Sequence, residues 1–243
     1  MKLAILAAGK SERIFNKIKK NKCLIEINGK SIIQNIIYNA KKNKIVDIDV
    51  VIGFKGKNIK NHLRDYKNIS FINNKLFNTK DMMHSLYLSL KNSNQDTIIC
   101  YSDIYFDSDV FKKIIKKAND KKILIPVLAN WKRVWKIRNK LQKNDAEDLK
   151  IDKGNNILNI GQNIKKNSPP KYQFMGIVFV PLELKDKILK IYNNVKTNKK
   201  LHTTNFLDYL IKQKINIKAL KYNKKWYEFD DNEDFLNFKK YKW

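Results

Sequence analysis

The sequence predicts an α/β fold with a mixed, mainly parallel sheet flanked by helices, and two observations support this prediction. An apolar run at Lys2–Ala7 is followed by helical apolar spacing over Ser31–Asn43 and by a second apolar run at Val46–Phe54. Strands buried on both faces of a sheet are continuously apolar, so this order indicates a unit of strand, helix and strand. The same alternation repeats along the chain, which favours parallel strands with helices on both faces of the sheet.

Each predicted element follows from its own local pattern. Short apolar runs ended by turn residues predict strands, and apolar residues three and four apart, as at positions 32, 33, 36, 37 and 40, predict helices. The predicted strands are Lys2–Ala7, Val46–Phe54, Ile69–Asn73, Asp96–Tyr101, Ile123–Val127, Phe174–Val180, Ile215–Lys221 and Trp226–Phe229. The predicted helices are Ser31–Asn43, Lys57–Tyr66, Met82–Leu90, Val110–Ala118, Glu183–Val195 and Thr204–Lys214.

A single domain is expected over residues 1–243. The chain has 243 residues, of which 43% are hydrophobic, and this is enough for one sizeable core. A polar stretch at about 131–170 interrupts the alternation and ends at Ser168-Pro169-Pro170. We interpret this stretch as an insertion over the sheet.

The composition also argues against several classes of protein. The longest apolar stretches fall far short of the ~20 residues of a membrane-spanning helix. The apolar part of the N-terminus, which ends before Lys10, is too short for a signal-peptide core. Cys23 and Cys100 are too few for a disulfide framework or a four-cysteine zinc site. We therefore expect a cytoplasmic protein with two reduced thiols.

The net charge of +28 raises the question of nucleic-acid binding. Only four of the 51 basic residues are arginines, whereas readout of bases relies on the arginine fork. The lysines are spread over the whole chain beside many asparagines, as the coding bias of an AT-rich genome would produce. We expect no specific nucleic-acid partner and no membrane partner, although general attraction to polyanions follows from the charge.

The turn after the first strand is a candidate phosphate-binding loop. Its small residues allow backbone amides to approach a triphosphate, and the fork of Arg13 matches phosphate oxygens. The candidate nucleotide-binding residues of this loop are Leu6, Ala7, Ala8, Gly9, Lys10 and Ser11. The sequence matches neither a Walker loop nor the GxGxxG fingerprint. A plain strand-to-helix turn with a solvated arginine is the alternative.

Lys22 makes the pattern more specific, because it precedes an apolar residue, an Ile-Asn-Gly-Lys turn and a helix. The combination of L-A-A-G-x-S-x-R with this lysine resembles the nucleotidyltransferase superfamily and implies its Rossmann-like fold. In that superfamily the loop and its arginine wrap the triphosphate, and the lysine contacts the α-phosphate and the acceptor phosphate. The resemblance implies these roles for Arg13 and Lys22. Asn21 replaces the usual proline, which puts the local geometry in question.

Three further segments resemble the phosphocholine cytidylyltransferase-like branch of this superfamily. They are Val51–Lys55, Asn74–Leu86 and Trp226–Asp230. By resemblance, Gly53 lies near the base, and Lys80, Asp81 and Ser85 belong to the segment that closes over nucleotide and acceptor. Lys75, Lys80 and Asp81 depart from the family pattern, and this leaves the acceptor open.

Asp103 and Asp230 are candidate ligands of Mg²⁺. Nucleotidyl transfer accumulates negative charge on phosphate oxygens and therefore needs positioned cations. Asp103 follows a predicted buried strand and Asp230 closes another, so both are expected at the carboxyl edge of the sheet. The resemblance implies the same two positions as metal ligands. Asp107 and Asp231 are the rivals if the register differs, and capping or turn aspartates are the alternative.

By resemblance to the same branch, the insertion at about 131–170 is an acceptor-side element, and Gln173-Phe174-Met175-Gly176 is similar to the family's Q-Y-M-G segment. An aromatic wall with carboxylates attracts an ammonium group and suits phosphocholine or an aminoalkyl phosphonate, while an indole packed in the core of the insertion is the alternative. The candidate acceptor-binding residues are Trp135, Arg138, Asp145, Glu147 and Gly176.

Together these observations predict a Mg²⁺-dependent nucleotidyltransferase that transfers CMP from CTP to a small phosphorylated or phosphonylated acceptor. The acceptor classes are phosphocholine-like compounds, aminoalkyl phosphonates and amino-acid phosphates. A sugar-1-phosphate nucleotidyltransferase is the first alternative, and a polyanion- or RNA-binding protein on a degenerate scaffold is the second. The sequence leaves the oligomeric state open, with a homodimer among the options.

Overall fold

A computed structural model describes residues 1–11, 20–79, 82–140, 146–164, 169–195 and 201–240. The strands are β1 (Lys2–Ala7), β2 (Glu26–Ile27), β3 (Lys30–Ser31), β4 (Asp47–Ile52), β5 (Ile69–Asn73), β6 (Thr97–Tyr101), β7 (Ile104–Phe106), β8 (Ile123–Leu128), β9 (Asp148–Ile151), β10 (Ile157–Gln162), β11 (Gln173–Phe174), β12 (Ile177–Val180), β13 (Ile217–Tyr222) and β14 (Trp226–Glu228). The α-helices are α1 (Ile32–Lys42), α2 (Gly56–His62), α3 (Met82–Lys91), α4 (Asp109–Lys117), α5 (Trp131–Arg138), α6 (Leu182–Val195), α7 (Thr203–Lys212) and α8 (Asn232–Lys240).

The main sheet is mixed and mostly parallel. Strands β5, β4, β1 and β6 lie side by side in parallel pairs. Strand β12 is antiparallel to both β6 and β8, and β13 pairs parallel with β8. The carboxyl ends of β1, β4 and β6 therefore meet at one edge of the sheet, which is where ligands of open α/β folds bind.

The core lies on both faces of this sheet. In β1, Leu3 and Ile5 belong to one buried cluster and Ala4 and Leu6 to the other, because successive strand residues point to opposite faces. Helices α1, α4, α5 and α8 contribute to the first cluster, and α3, α6 and α7 to the second. Two covered faces explain why the strands are continuously apolar in sequence, and the predicted α/β fold is confirmed.

One prediction about local structure needs correction. The predicted strand Phe174–Val180 is divided into β11 and β12, because Gly176 adopts a φ of +73° and interrupts the extended chain. The 131–170 stretch is more structured than its polar composition indicates. Trp131 of α5 is buried in the first cluster and Ile160 of β10 in the second. Within the described residues, no helix is long and apolar enough to cross a membrane.

Candidate functional site

A cavity of about 520 Å³ opens at the carboxyl edge of the parallel strands. It lies over the ends of β1 and β6, where the sequence predicts the site. The predicted site residues that line it are Leu6, Ala7, Ala8, Gly9, Lys10, Ser11, Lys22, Ser85, Asp103 and Asp230. The structure therefore brings the loop after β1, the lysine and both aspartates to one cavity.

The loop after β1 is open enough for a ligand to approach its backbone. Among the residues that the structure describes, none has a heavy atom within 4 Å of a Cβ added to Gly9. Ser11 has a φ of +56°, and its Oγ accepts a hydrogen bond of 3.2 Å from the backbone N–H of Lys22. The Ser11 side chain thus connects the loop to Lys22, and the described residues leave the side of Gly9 accessible to a ligand. Arg13 lies outside the described residues.

Lys22 links the two candidate metal ligands. Its Nζ lies 3.3 Å from Oδ2 of Asp103 and 3.4 Å from Oδ1 of Asp230. The side chains of Asp103 and Asp230 are 19% and 15% exposed. These charges are therefore only partly screened by solvent, and the ammonium group balances the two carboxylates.

The backbone explains why two aspartates so distant in sequence meet. Asp103 follows β6 and precedes β7, and β7 pairs antiparallel with β14. The backbone N–H of Phe229 donates a 2.9 Å hydrogen bond to the carbonyl oxygen of Asp103. Asp230 is the next residue, so the β7–β14 pair carries its side chain to the cavity. The rivals Asp107 and Asp231 do not line the cavity, and Asp231 is paired with Lys140.

The two carboxylates fit a magnesium ion. Mg²⁺ typically takes one or two protein carboxylates and completes its shell with phosphate oxygens and water. Asp103 and Asp230 each place an oxygen within 3.4 Å of the same ammonium nitrogen, so both can face one cation. Within the described residues, no group of three or more His, Cys, Asp or Glu side chains could hold a metal on its own.

Arg138 lies behind this pair and does not line the cavity. The side chain is fully buried, and its guanidinium donates to Asp230, Glu228 and Asp234. Burial alone would lower the pKa of Arg138, but Glu228, Asp234 and Asp230 raise it above its ordinary value. The structure thus places this predicted acceptor residue among three carboxylates.

Trp135 is part of the aromatic core and does not line the cavity. It is 3% exposed, stacks on Trp226 at 6.0 Å and meets Trp131 edge-on at 5.6 Å between ring centroids. The helical spacing of Trp131 and Trp135 reflects the buried face of α5, which packs against Trp226 of β14. An exposed aromatic wall at Trp135 is therefore not what the structure shows, and the insertion-core alternative describes its position.

The segment after β5 forms another wall of the cavity. The buried side chain of Asn74 donates a 2.9 Å hydrogen bond from Nδ2 to Oγ of Ser85, and its Oδ1 accepts one from the N–H of Leu76. Phe77 packs so close to Gly53 that a Cβ on Gly53 would lie 2.7 Å from Cβ of Phe77. Gly53 thus supports the wall without lining the cavity. Lys80 and Asp81 lie outside the described residues.

Gly176 and Glu147 lie close to the cavity without lining it. A Cβ on Gly176 would lie 2.9 Å from the ring of Tyr101, so only glycine lets this ring pack there. Glu147 accepts a hydrogen bond of 3.1 Å from Oγ1 of Thr204. Burial raises the pKa of Tyr101, and nearby Glu228, Asp103 and Glu147 raise it further, so its phenol stays neutral. Asp145 lies outside the described residues.

Half of the described residues that line the cavity were not singled out as site residues from the sequence. These residues are Asn21, Cys23, Asn74, Phe77, Asn78, Met82, Tyr101, Ser102, His202 and Glu228. Sequence signals existed for Glu228, in the Trp226–Asp230 segment, and for Asn74, which opens the second resemblance segment. His202 carried none.

Asn21 has the backbone conformation of the proline that it replaces in the family pattern. Its φ is −60°, a value that proline would impose, and its Nδ2 donates a 2.9 Å hydrogen bond to the carbonyl oxygen of Phe54. The asparagine therefore keeps the proline-like backbone and ties Lys22 to the end of β4. The neighbouring Cys23 is buried, which raises the pKa of its thiol to about 12, so it supplies no thiolate to the cavity.

Comparisons of the sequence with known proteins agree with a cavity that binds a nucleoside triphosphate. Residues 3–158 match the family model described as the MobA-like NTP transferase domain. A CTP:phosphoglutamine cytidylyltransferase from Campylobacter jejuni is 30% identical over 253 residues, covering 96% of this chain and 97% of that protein.

Solved structures with the same fold include two enzymes whose names describe transfer from CTP. The CTP:phosphocholine cytidylyltransferase from Streptococcus pneumoniae superposes with a TM-score of 0.75 at 18% identity, covering 98% of this chain and 97% of that one. The inositol-1-phosphate CTP transferase from T. maritima gives 0.76 at 16% identity, covering 96% and 90%. At these identities the likeness establishes the fold alone.

Proposed function

Since the chain belongs to the MobA-like NTP transferase domain family, we propose that it is a Mg²⁺-dependent cytidylyltransferase that transfers CMP from CTP to a small phosphorylated acceptor. The observation that carries the proposal is the convergence of Lys22, Asp103 and Asp230 on one cavity at the carboxyl edge of the sheet. The cavity joins an open loop for phosphates to two carboxylates for a cation and a lysine beside them.

The choice of CTP and of an amino-acid phosphate as acceptor is supported by the Campylobacter jejuni relative, which is named a CTP:phosphoglutamine cytidylyltransferase. Phosphocholine-like acceptors and aminoalkyl phosphonates remain within the proposed class. A cytoplasmic location is part of the proposal, supported by the two buried cysteines, which are free thiols.

In the proposed reaction an oxygen of the acceptor phosphate attacks the α-phosphorus of CTP in line. A new P–O bond forms there as the bond to the bridging oxygen of the β-phosphate breaks, and pyrophosphate leaves. The acceptor is already ionised at neutral pH, so no side chain has to remove a proton. Catalysis then depends on orientation and on positive charge placed where negative charge accumulates.

The chain's own residues supply that charge and orientation. Lys22 is placed to neutralise charge on the α-phosphate and on the acceptor phosphate, and the loop around Gly9 offers backbone N–H groups to the β- and γ-phosphates. Asp103 and Asp230 would hold Mg²⁺, which supplies positive charge to the triphosphate when bound. Arg13, beyond the described residues, is proposed as a second cation for the phosphates.

The test is pyrophosphate release by the purified protein with Mg²⁺. CTP, UTP, GTP and ATP are each paired with phosphoglutamine, phosphocholine, 2-aminoethylphosphonate and glucose 1-phosphate, and Asp103→Asn is the inactive control. We expect release with CTP and an amino-bearing acceptor, at a rate that Asp103→Asn abolishes. Release with glucose 1-phosphate alone would establish the sugar-phosphate alternative, and no release with any pair would contradict the proposal.

A further inference from the structure

The guanidinium of Arg138 is the centre of a buried ionic network behind the cavity. Arg138 ends α5 and has no exposed surface. Its Nε donates to Oδ1 of Asp234 at 3.1 Å, its Nη1 to Oε2 of Glu228 at 3.2 Å and its Nη2 to Oδ2 of Asp230 at 2.8 Å. All three guanidinium nitrogens thus donate to carboxylates, and Cζ lies 5.1 Å from the centre of the Trp135 ring.

The two oxygens of Asp230 have different environments. Oδ2 accepts from Arg138, while Oδ1 lies 3.4 Å from Nζ of Lys22 in the cavity. The backbone N–H of Asp230 donates a 2.7 Å hydrogen bond to Oδ2 of Asp234, which is itself bound by Arg138. Both the backbone and the side chain of Asp230 are therefore held by the Arg138–Asp234 pair.

We propose that Arg138 is a positioning residue. It binds Oδ2 of Asp230 so that Oδ1 is directed at the metal ion that the cavity would hold. This inference rests on the proposed function. A carboxylate fixed by a buried guanidinium loses little further rotational freedom when it binds a cation, and partners of this kind commonly set the affinity of a metal site. Arg138 also offsets part of the charge of Glu228 and Asp234, which would otherwise repel Asp230 as a third carboxylate beside them.

This role differs from the acceptor contact predicted from the sequence. An acceptor contact would require the guanidinium to reach the cavity, but Arg138 is not among the residues that line it. A change at Arg138 should therefore weaken the binding of the metal with the nucleotide and leave the KM of the acceptor unaffected. The positioning role thus predicts a change in metal affinity, whereas an acceptor contact predicts a change in the KM of the acceptor.

The experiment compares Arg138→Lys with Arg133→Lys, a matched change on the exposed face of the same helix. Mn²⁺ binding is measured by electron paramagnetic resonance in the presence of a non-hydrolysable CTP analogue, and folding by circular dichroism. Lysine keeps the charge, but its single nitrogen cannot replace the planar fork whose three nitrogens reach three separate carboxylates. We expect Arg138→Lys to weaken Mn²⁺ binding by about 10–100-fold and Arg133→Lys to have no effect. High Mn²⁺ should partly restore turnover of Arg138→Lys.

Two results would overturn the inference while leaving the proposed function intact. They are Mn²⁺ binding by folded Arg138→Lys within twofold of the wild type, and an increase confined to the KM of the acceptor. If Arg138→Lys does not fold, Asp234→Asn weakens the same hold on Asp230 and should lower Mn²⁺ affinity in the same direction. Failure of the wild type itself to bind Mn²⁺ with the CTP analogue would overturn both proposals.

Discussion

Lys22 occupies the position where the two carboxylates of the cavity meet. Its ammonium is within 3.4 Å of both Asp103 and Asp230, the same pair that would hold a metal. In the free protein the lysine and a divalent cation therefore compete for the same oxygens. A bound triphosphate gives the ammonium a new partner, so we expect metal and nucleotide to bind together more tightly than metal alone.

Replacing Lys22 should have opposite effects on turnover and on metal binding. In Lys22→Gln we expect turnover to fall by about 10²–10³-fold, because a cation at the transferred phosphate is lost. Binding of Mn²⁺ to the free protein should tighten by at least about fivefold, because removing a unit charge ~4 Å away relieves ~1 kcal/mol or more of repulsion.

The measurements for Lys22→Gln are pyrophosphate release and an electron paramagnetic resonance titration of Mn²⁺ without nucleotide. Lys20→Gln is the matched control, since Lys20 is exposed and its replacement removes the same charge. Unchanged turnover would remove Lys22 from the reaction. Weaker Mn²⁺ binding in Lys22→Gln would show that the lysine does not compete with the metal.

At the scale of elements, two glycines at the ends of neighbouring strands face opposite constraints. Gly53 follows β4, and a Cβ there would lie 2.7 Å from the carbonyl oxygen of Ala8. That oxygen also accepts the N–H of Phe54 at 3.1 Å, so it has little room to move. Gly9 follows β1, and no atom of the described part of the chain lies within 4 Å of its Cβ position. Alanine at Gly53 therefore tests the packing of the loops, and alanine at Gly9 tests the access of a ligand to the backbone.

We expect Gly53→Ala to destabilise the protein by about 1–3 kcal/mol, the usual effect of overpacking. Gly9→Ala should change stability by no more than about 0.5 kcal/mol, as exposed substitutions commonly do. It should nevertheless raise the KM for CTP by about tenfold, equal to ~1.4 kcal/mol, because the added methyl group keeps phosphates from the backbone. Urea unfolding and steady-state kinetics provide the two readouts. A stable Gly53→Ala, or an unchanged KM in Gly9→Ala, would contradict this account.

Helix α5 illustrates what the sequence could and could not predict. The apolar runs of β1 and β6 were sufficient to place those strands, because a strand covered on both faces is continuously apolar in sequence. The positions of Trp135 and Arg138 could not be predicted in this way. Helical spacing predicts that a helix has a buried face, but it does not identify the residues that this face contacts. The carboxylates around Arg138 are supplied by Glu228, Asp230 and Asp234, about 90 residues later. Asp103 and Asp230 were predictable individually, as residues that follow strands, but the pairing of β7 with β14 that joins them was not.

The buried position of Trp135 leads to a stability prediction for the same helix. Trp135→Ala should destabilise the protein by about 3–5 kcal/mol, because a large core side chain is lost. Trp135→Phe is the matched control and should cost less than ~1.5 kcal/mol, since the indole Nε1 has no hydrogen-bond partner within the part of the chain described. Urea denaturation measures both values. A Trp135→Ala variant of normal stability with a raised KM for the acceptor would restore the aromatic-wall interpretation.

At the scale of the whole molecule, the charge of +28 predicts weak binding to any polyanion. Such binding releases counterions, so the affinity for single-stranded RNA should fall by about 300-fold or more between 50 and 200 mM salt if six or more phosphates are contacted. The lysines that produce this field are dispersed over the sequence, whereas the proposed reaction depends on Lys22 and its two carboxylates. CTP-dependent pyrophosphate release at saturating substrate should therefore persist at 200 mM salt, where RNA no longer binds. Filter binding and pyrophosphate assays across one salt series test this separation. RNA binding that survives 200 mM salt in a protein without transfer activity would instead favour the RNA-binding alternative.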